Sequence, residues 1–263
     1  MRKPTVARGF AWKSTAARRL QEAAGSAGSV EDAISKHVSI LIAGLACPPT
    51  DLDAFGRRIG VAAILTESLP ASGELRRKGK EYVVACAPDL PPTRRRFTIA
   101  HEFGHVLLER CGARNVKDNS EIERLCDAIA SEILLPRDYF LDRAEGETLP
   151  EDVLDIARTF QTSIIATARR FHDLRKLNVF LSAGSEVEWG FGVVRHGPVA
   201  SLDSDLRALV EAAGNGEPAS GLVFINTGTT SGQWKVACAP LGRAGSALFS
   251  LQPVPRAQWA RPS

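Results

Sequence analysis

The sequence predicts an α+β protein made of two differently built parts, on three observations. Helical spacings dominate from residue 14 to about 176, interrupted by one short β-rich stretch over 61–86. After Lys176, β-branched runs and glycine-rich turns take over, with one helical segment among them. Between the β-rich stretch and the remaining helices, the apolar segment Phe97–Arg110, FTIAHEFGHVLLER, carries His101, Glu102 and His105 at its centre, polar residues that such a helix would not bury without a reason.

The elements follow in order. Residues 14–24 and 30–46 have helical spacing, with Ser29 as N-cap of the second, and Pro48-Pro49 ends it. Thr50 reads as the cap of a short helix over 51–58, with Gly60 beyond its end. Val61–Leu65 reads as a strand. Glu74–Arg77 and Glu81–Cys86 flank Lys78-Gly79-Lys80 as a β-hairpin. Thr93 is the expected cap of the Phe97–Arg110 helix, and Gly112 its stop. A polar loop over 113–120 leads to a helix over 121–135, stopped by Pro136, and then to a short helix over 137–143. Thr148-Leu149-Pro150-Glu151 reads as a capping box opening a helix to Phe160, and Gln161-Thr162-Ser163 turns into another over 164–174. In the tail, 179–182, 188–194, 222–226, 234–239 and 247–252 read as strands and 202–213 as a helix. These boundaries give three regions: 1–145, a helical 146–176, and an α+β tail over 177–263.

Composition excludes several classes. With 44% apolar and 24% charged residues the chain is an ordinary globular protein, neither disordered nor fibrous. A net charge of +3 is too small to imply nucleic-acid binding by itself. The basic excess is local, in Arg2, Lys3, Arg8, Lys13, Arg18 and Arg19, and reads as a solvated terminus or an interacting arm. Five scattered cysteines without a C-x-x-C pair fit reduced, buried thiols. No signal-like apolar segment lies near Met1, and the run Val38–Cys47 is too short to span a bilayer, so the expected location is cytoplasmic, away from membranes.

The chemistry centres on His101-Glu102-Phe103-Gly104-His105, an H-E-x-x-H motif. Two histidines four apart share one helix face and are spaced to hold one Zn²⁺, while Glu102 between them can act as general base toward a water activated there. A catalytic zinc takes a third protein ligand. Glu123 and Asp127, also four apart, supply it: Glu123 as ligand, Asp127 as the acceptor that fixes a histidine tautomer. Glu121 is the competing ligand, and Ser120-x-x-Glu123 would alternatively spend Glu123 on a capping box. Cys126 as a ligand would fill the position that a catalytic zinc leaves open.

R-x-F-T-x-A-H-E-x-G-H-x-L-L over Arg95–Leu108, followed by E-x-x-[AC]-[ND]-x-x-A-x-x-[IL]-L-x-P over Glu123–Pro136, resembles the ImmA/IrrE family of zinc-dependent regulatory peptidases. The helix ending at Gly60, the strand and the hairpin before the motif are also similar, so the likeness covers roughly 50–140. It implies a zincin-like peptidase domain with His101, His105 and Glu123 as zinc ligands and Glu102 as catalytic acid and base. Departures fall at Cys126 and Ile129, where Ala and Phe are usual. Length and layout are most similar to the radiation-response IrrE branch, which implies a helix-turn-helix-like middle and a GAF-like tail, although 177–263 carries no motif of its own. The implied role is cleavage of a transcriptional repressor, releasing stress-response or mobile-element genes.

Three further residue readings complete the site. Tyr139 is a candidate donor to the oxyanion, against a packing role near Pro136. Glu81–Cys86 is either an edge strand that pairs with substrate or an inner strand. Ile156–Ser163 with Arg169-Arg170-Phe171 resembles a helix-turn-helix whose arginines could reach phosphates, but helix pairs of this kind often only pack, and DNA binding is the less favoured reading. Trp189 and Trp234 read as tail core, and His37, His172 and His196 as ordinary histidines. A non-enzymatic regulator with structural zinc, binding a protein or DNA, is the alternative function.

Overall fold

The computed structural model of the protein describes residues 12–25, 28–113, 119–146, 148–217, 219–227, 230–242 and 245–258. The basic residues Arg2, Lys3 and Arg8, and 114–118 of the polar loop, lie outside them. The chain divides into two compact units, 1–140 with 160–162 and 141–159 with 163–263. The helices of the 146–176 region, apart from residues 160–162, fall in the second.

In the first unit, α1 (Thr15–Ala23) and α2 (Val30–Ile42) start where Ser14 and Ser29 accept the N–H of Ala17 and Asp32. The second helix is shorter than its apolar run, because the chain turns through Gly44 at φ +73°. The cap of α3 (Leu52–Arg58) is Asp51, which accepts the N–H of Ala54. Thr50 is not the cap, because its buried hydroxyl instead donates to the Ile133 carbonyl at 2.7 Å. A three-stranded sheet follows, of β1 (Val61–Thr66), β2 (Gly73–Lys78) and β3 (Glu81–Cys86) in the order β1-β3-β2. The β2–β3 hairpin is antiparallel, as read from the sequence, and β1 runs parallel to β3. Glu81–Cys86 is therefore the inner strand, and β2 an edge.

The motif helix, α4 (Pro92–Arg110), opens with Pro92 at its first position and no side-chain cap. Thr93 lies inside the first turn, so it does not cap. Gly112, at φ +77°, follows the Cys111 cap as expected. Helices α5 (Asn119–Leu134) and α6 (Arg137–Arg143) complete the run. Phe103 of α4 stacks on Phe55 of α3 with centroids 5.7 Å apart, in a core that also buries Val84, Val106, Leu125 and Ile133.

The second unit begins with α7 (Pro150–Phe160) and α8 (Ile164–Arg175). The first turn of α7 is capped one residue later than the sequence suggests: Asp152, not Glu151, reaches back to an N–H, that of Leu149, at 2.7 Å. Thr148 turns inward, and its carbonyl accepts from Ser250 and Gln252. Strands β4 (Asn178–Ala183), β5 (Glu186–Phe191), β6 (Gly197–Pro198), β7 (Gly221–Thr227), β8 (Thr230–Pro240) and β9 (Ser246–Pro253) form one antiparallel sheet in the order β6-β5-β4-β9-β8-β7. Helix α9 (Ser204–Gly214) packs on β7, β8 and β9, and α8 packs on β4 and β5. Phe180 and Phe249 stack at 4.6 Å in the core, and Trp234 is buried with them. Trp189 is half-buried against Phe191.

Candidate metal centre

His101 and His105 lie one turn apart on α4, with ring centroids 5.1 Å apart. Helix α5 brings acids to them. Glu123 places one oxygen 3.1 Å from His101 Nε2 and the other 3.7 Å from His105 Nε2. Asp127, one turn on, lies 2.9 Å from His101 Nδ1. This approach depends on Gly104, since a Cβ there would stand 2.8 Å from the Cys126 Cα, closer than packed atoms come. Two imidazole nitrogens facing one carboxylate are the hard-to-borderline donor set that suits zinc, so the residues fit the metal that the motif implies.

The electrostatics sort the titratable groups. Burial and the neighbouring charge of His101 hold His105 below the ordinary imidazole range, which keeps its ring neutral and able to donate a lone pair. Burial also works against a charge on His101, but the hydrogen bond to Asp127 and the nearby carboxylates outweigh it and raise its pKa. Glu102 differs from the other buried acids. It is 9% exposed, and among the described residues its carboxylate accepts no hydrogen bond. Burial, reinforced by Glu123 and Glu74 and opposed by His101, raises its pKa, as a proton-shuttling base needs.

Glu102 also faces the sheet. A Cβ on Gly73, the first residue of β2, would stand 3.1 Å from Glu102 Oε1 and 2.4 Å from Thr98 Cγ2. Glycine there lets the edge strand run close against the helix at the point where the base sits.

His101, Glu102, His105, Glu123 and Asp127 thus gather in one place. Glu121 does not join them, because it is buried and its carboxylate accepts the backbone N–H of Ser14 at 2.7 Å and of Lys13 at 3.0 Å. It caps the start of α1 instead. Tyr139 lines a cavity of about 220 Å³ with Ser35, Ser39, Ile42 and Glu132 and packs on the core there; the contacts that gather the other five do not include it. Cys126 is closer than the sequence suggested: its sulfur and one nitrogen from each of His101 and His105 lie within 4.8 Å of one another. Its position three residues after Glu123, on the inner side of α5, was the available signal. In the second unit, Arg169 is engaged by Asp173 at 3.1 Å and lies over the Phe191 ring, so its charge is already partly compensated. His172 bonds the Leu177 carbonyl, and in the first unit His37 lies 3.3 Å from that of Leu20, both ordinary structural contacts.

Residues 58–172 match a peptidase family described as the IrrE N-terminal-like domain. The protein carries an IrrE N-terminal-like domain. That places a metallopeptidase-type, zincin-like domain in the chain and accounts for α4 and α5 together. A search of curated proteins finds no match. Among solved structures, a Mycobacterium tuberculosis transcriptional regulator is similar at 16% identity, with a TM-score of 0.53, over 90% of this chain and 92% of that one. That likeness extends the shared fold beyond the IrrE N-terminal-like domain, to the tail as well. Among the described residues no helix is long and apolar enough to cross a membrane.

Proposed function

We propose that the protein is a zinc-dependent, site-specific endopeptidase that cleaves a transcriptional repressor. One observation carries the reading: Glu102 is a buried carboxylate without a hydrogen-bond partner among the described residues, set between two metal-competent histidines and beside a strand edge. Holding a carboxylate largely out of water without a protein partner is costly, and an active site is where such a cost is retained.

His101, His105 and Glu123 would hold the zinc, and Asp127 would orient His101 by accepting its Nδ1–H. The chemistry supplied there is Lewis acidity, which polarises the scissile carbonyl and brings the pKa of the attacking water down to about 7. Glu102 takes that water's proton on its carboxylate and returns it to the leaving amine. The raised pKa of Glu102 strengthens it as the base in the first half of this transfer. The edge strand β2, with Gly73 against the helix, offers backbone groups to an extended substrate peptide. Cleavage of a repressor would release the genes that it silences.

A non-enzymatic regulator with a structural metal has no use for Glu102, which makes the two readings separable. Glu102→Gln is expected to keep its metal and to lose cleavage by about 10²–10⁴-fold. The assay mixes metal-loaded protein with candidate transcriptional repressors from the same cell and maps any cut by mass spectrometry. Unchanged cleavage by the metal-loaded variant would end the catalytic role of Glu102.

A further inference from the structure

The metal centre proposed above leaves one nearby donor unused. The Cys126 side chain is wholly buried, and among the described residues its thiol has no hydrogen-bond partner. Two other cysteines differ in this respect: Cys47 lies 3.5 Å from the Thr50 hydroxyl, and Cys238 accepts the N–H of Ala219. A buried cysteine is often only a small apolar filler. The sulfur of Cys126, however, shares a 4.8 Å cluster with nitrogens of His101 and His105. Its backbone is held there by the close contact with Gly104, so its Cα cannot drift from the histidine helix without parting the two helices.

We infer that Cys126 is a fourth, displaceable ligand of this centre, its sulfur occupying in the resting protein the position that substrate later takes. The inference rests on the metal reading above and adds a resting state to it. On binding, the thiol loses one proton to solvent and a metal–sulfur bond forms, with no change of oxidation state. Release needs only rotation about the Cα–Cβ bond, among three staggered positions, and reprotonation. With His101, His105 and Glu123 as the other ligands, the thiolate would fill the fourth position and close the resting centre to water. A soft sulfur donor also biases the site toward zinc and cadmium and away from manganese and magnesium.

Cobalt(II) reports sulfur ligation directly, without any substrate. The full chain loaded with one equivalent of Co²⁺ should show a near-ultraviolet sulfur-to-cobalt charge-transfer band beside its visible ligand-field bands. Cys126→Ser and Cys126→Ala should lose the first and keep the second, with circular dichroism confirming that each is folded. Acetohydroxamate, an oxygen chelator that competes for the displaceable position, should reduce the charge-transfer band of the unaltered protein. Stoichiometric cobalt without that band overturns the inference and leaves the metal reading standing. A band that survives in both variants assigns the sulfur to another cysteine and overturns it as well. Failure of the unaltered protein to bind cobalt at all overturns the inference and the metal reading together.

Discussion

The two units bury polar groups in different ways. In the first, three carboxylates among the described residues lie below the surface, Glu102, Glu121 and Glu132. In the second, the buried polar residues among those described are neutral: Thr148, Thr167, Asn178, Ser182, Ser246 and Ser250. The second unit is thus an apolar sheet core with hydrogen-bonded neutral groups in it, and its stability comes from area and shape. The first accepts a harder problem and solves it twice. Glu121 takes two N–H groups at the start of α1, and Glu132 accepts the Ser35 hydroxyl and the N–H of Arg137. Glu102 is left unsolved, and that exception is what sets the motif helix apart from a structural one.

Four substitutions test this contrast, from the largest effect to the smallest. Phe249→Ala removes half of the Phe180–Phe249 stack and should cost about 3–5 kcal/mol in urea unfolding, with metal affinity unchanged. A parallel loss of metal affinity would mean that the units are not separate in energy. Glu121→Ala strands the N–H groups of Lys13 and Ser14 and should cost about 1–3 kcal/mol, read by the same experiment. Asp127→Asn should weaken metal binding by roughly 10–100-fold in a competitive chelator titration, with little change in metal-free stability. The reverse pattern would make Asp127 a packing residue. Glu102→Gln should move metal-free stability in the opposite direction from Glu121→Ala, raising it by up to about 1 kcal/mol, because an unpaired buried carboxylate has been removed. A clear drop in melting temperature instead would place Glu102 among the structural acids.

Much of this was legible before the structure, where local physics decides. The stripe of Phe97, Ile99, Phe103, Val106 and Leu107 marks α4, Gly112 marks its end, and Gly79 marks the β2–β3 turn. The helix α6 falls where Pro136 places it, with the bounds expected. The misreadings share a cause, which is a tertiary partner that outbids a local one. Thr50 has the chemistry of a cap, but a carbonyl 83 residues away claims its hydroxyl. Thr148 is drawn inward by β9. The position of Glu81–Cys86 within its sheet depends on parallel pairing with β1, which no turn residue announces. Spacing favours Glu123 over Glu121, because only Glu123 has an acid four residues on, and the docking of Lys13 and Ser14 against Glu121 removes the competitor.

That docking bears on when, during synthesis, the centre comes into being. The start of α5 carries Glu123 toward the histidines, while Glu121, two residues earlier, holds a backbone segment 107 residues before it. A ribosome that has delivered His101 and His105 has made a helix with two imidazoles but neither the acid that faces them nor the strut beneath it. Closing so long a loop is slow and comes only after the intervening chain exists. Assembly of the site is therefore a late event of folding, withheld until most of the first unit has been translated.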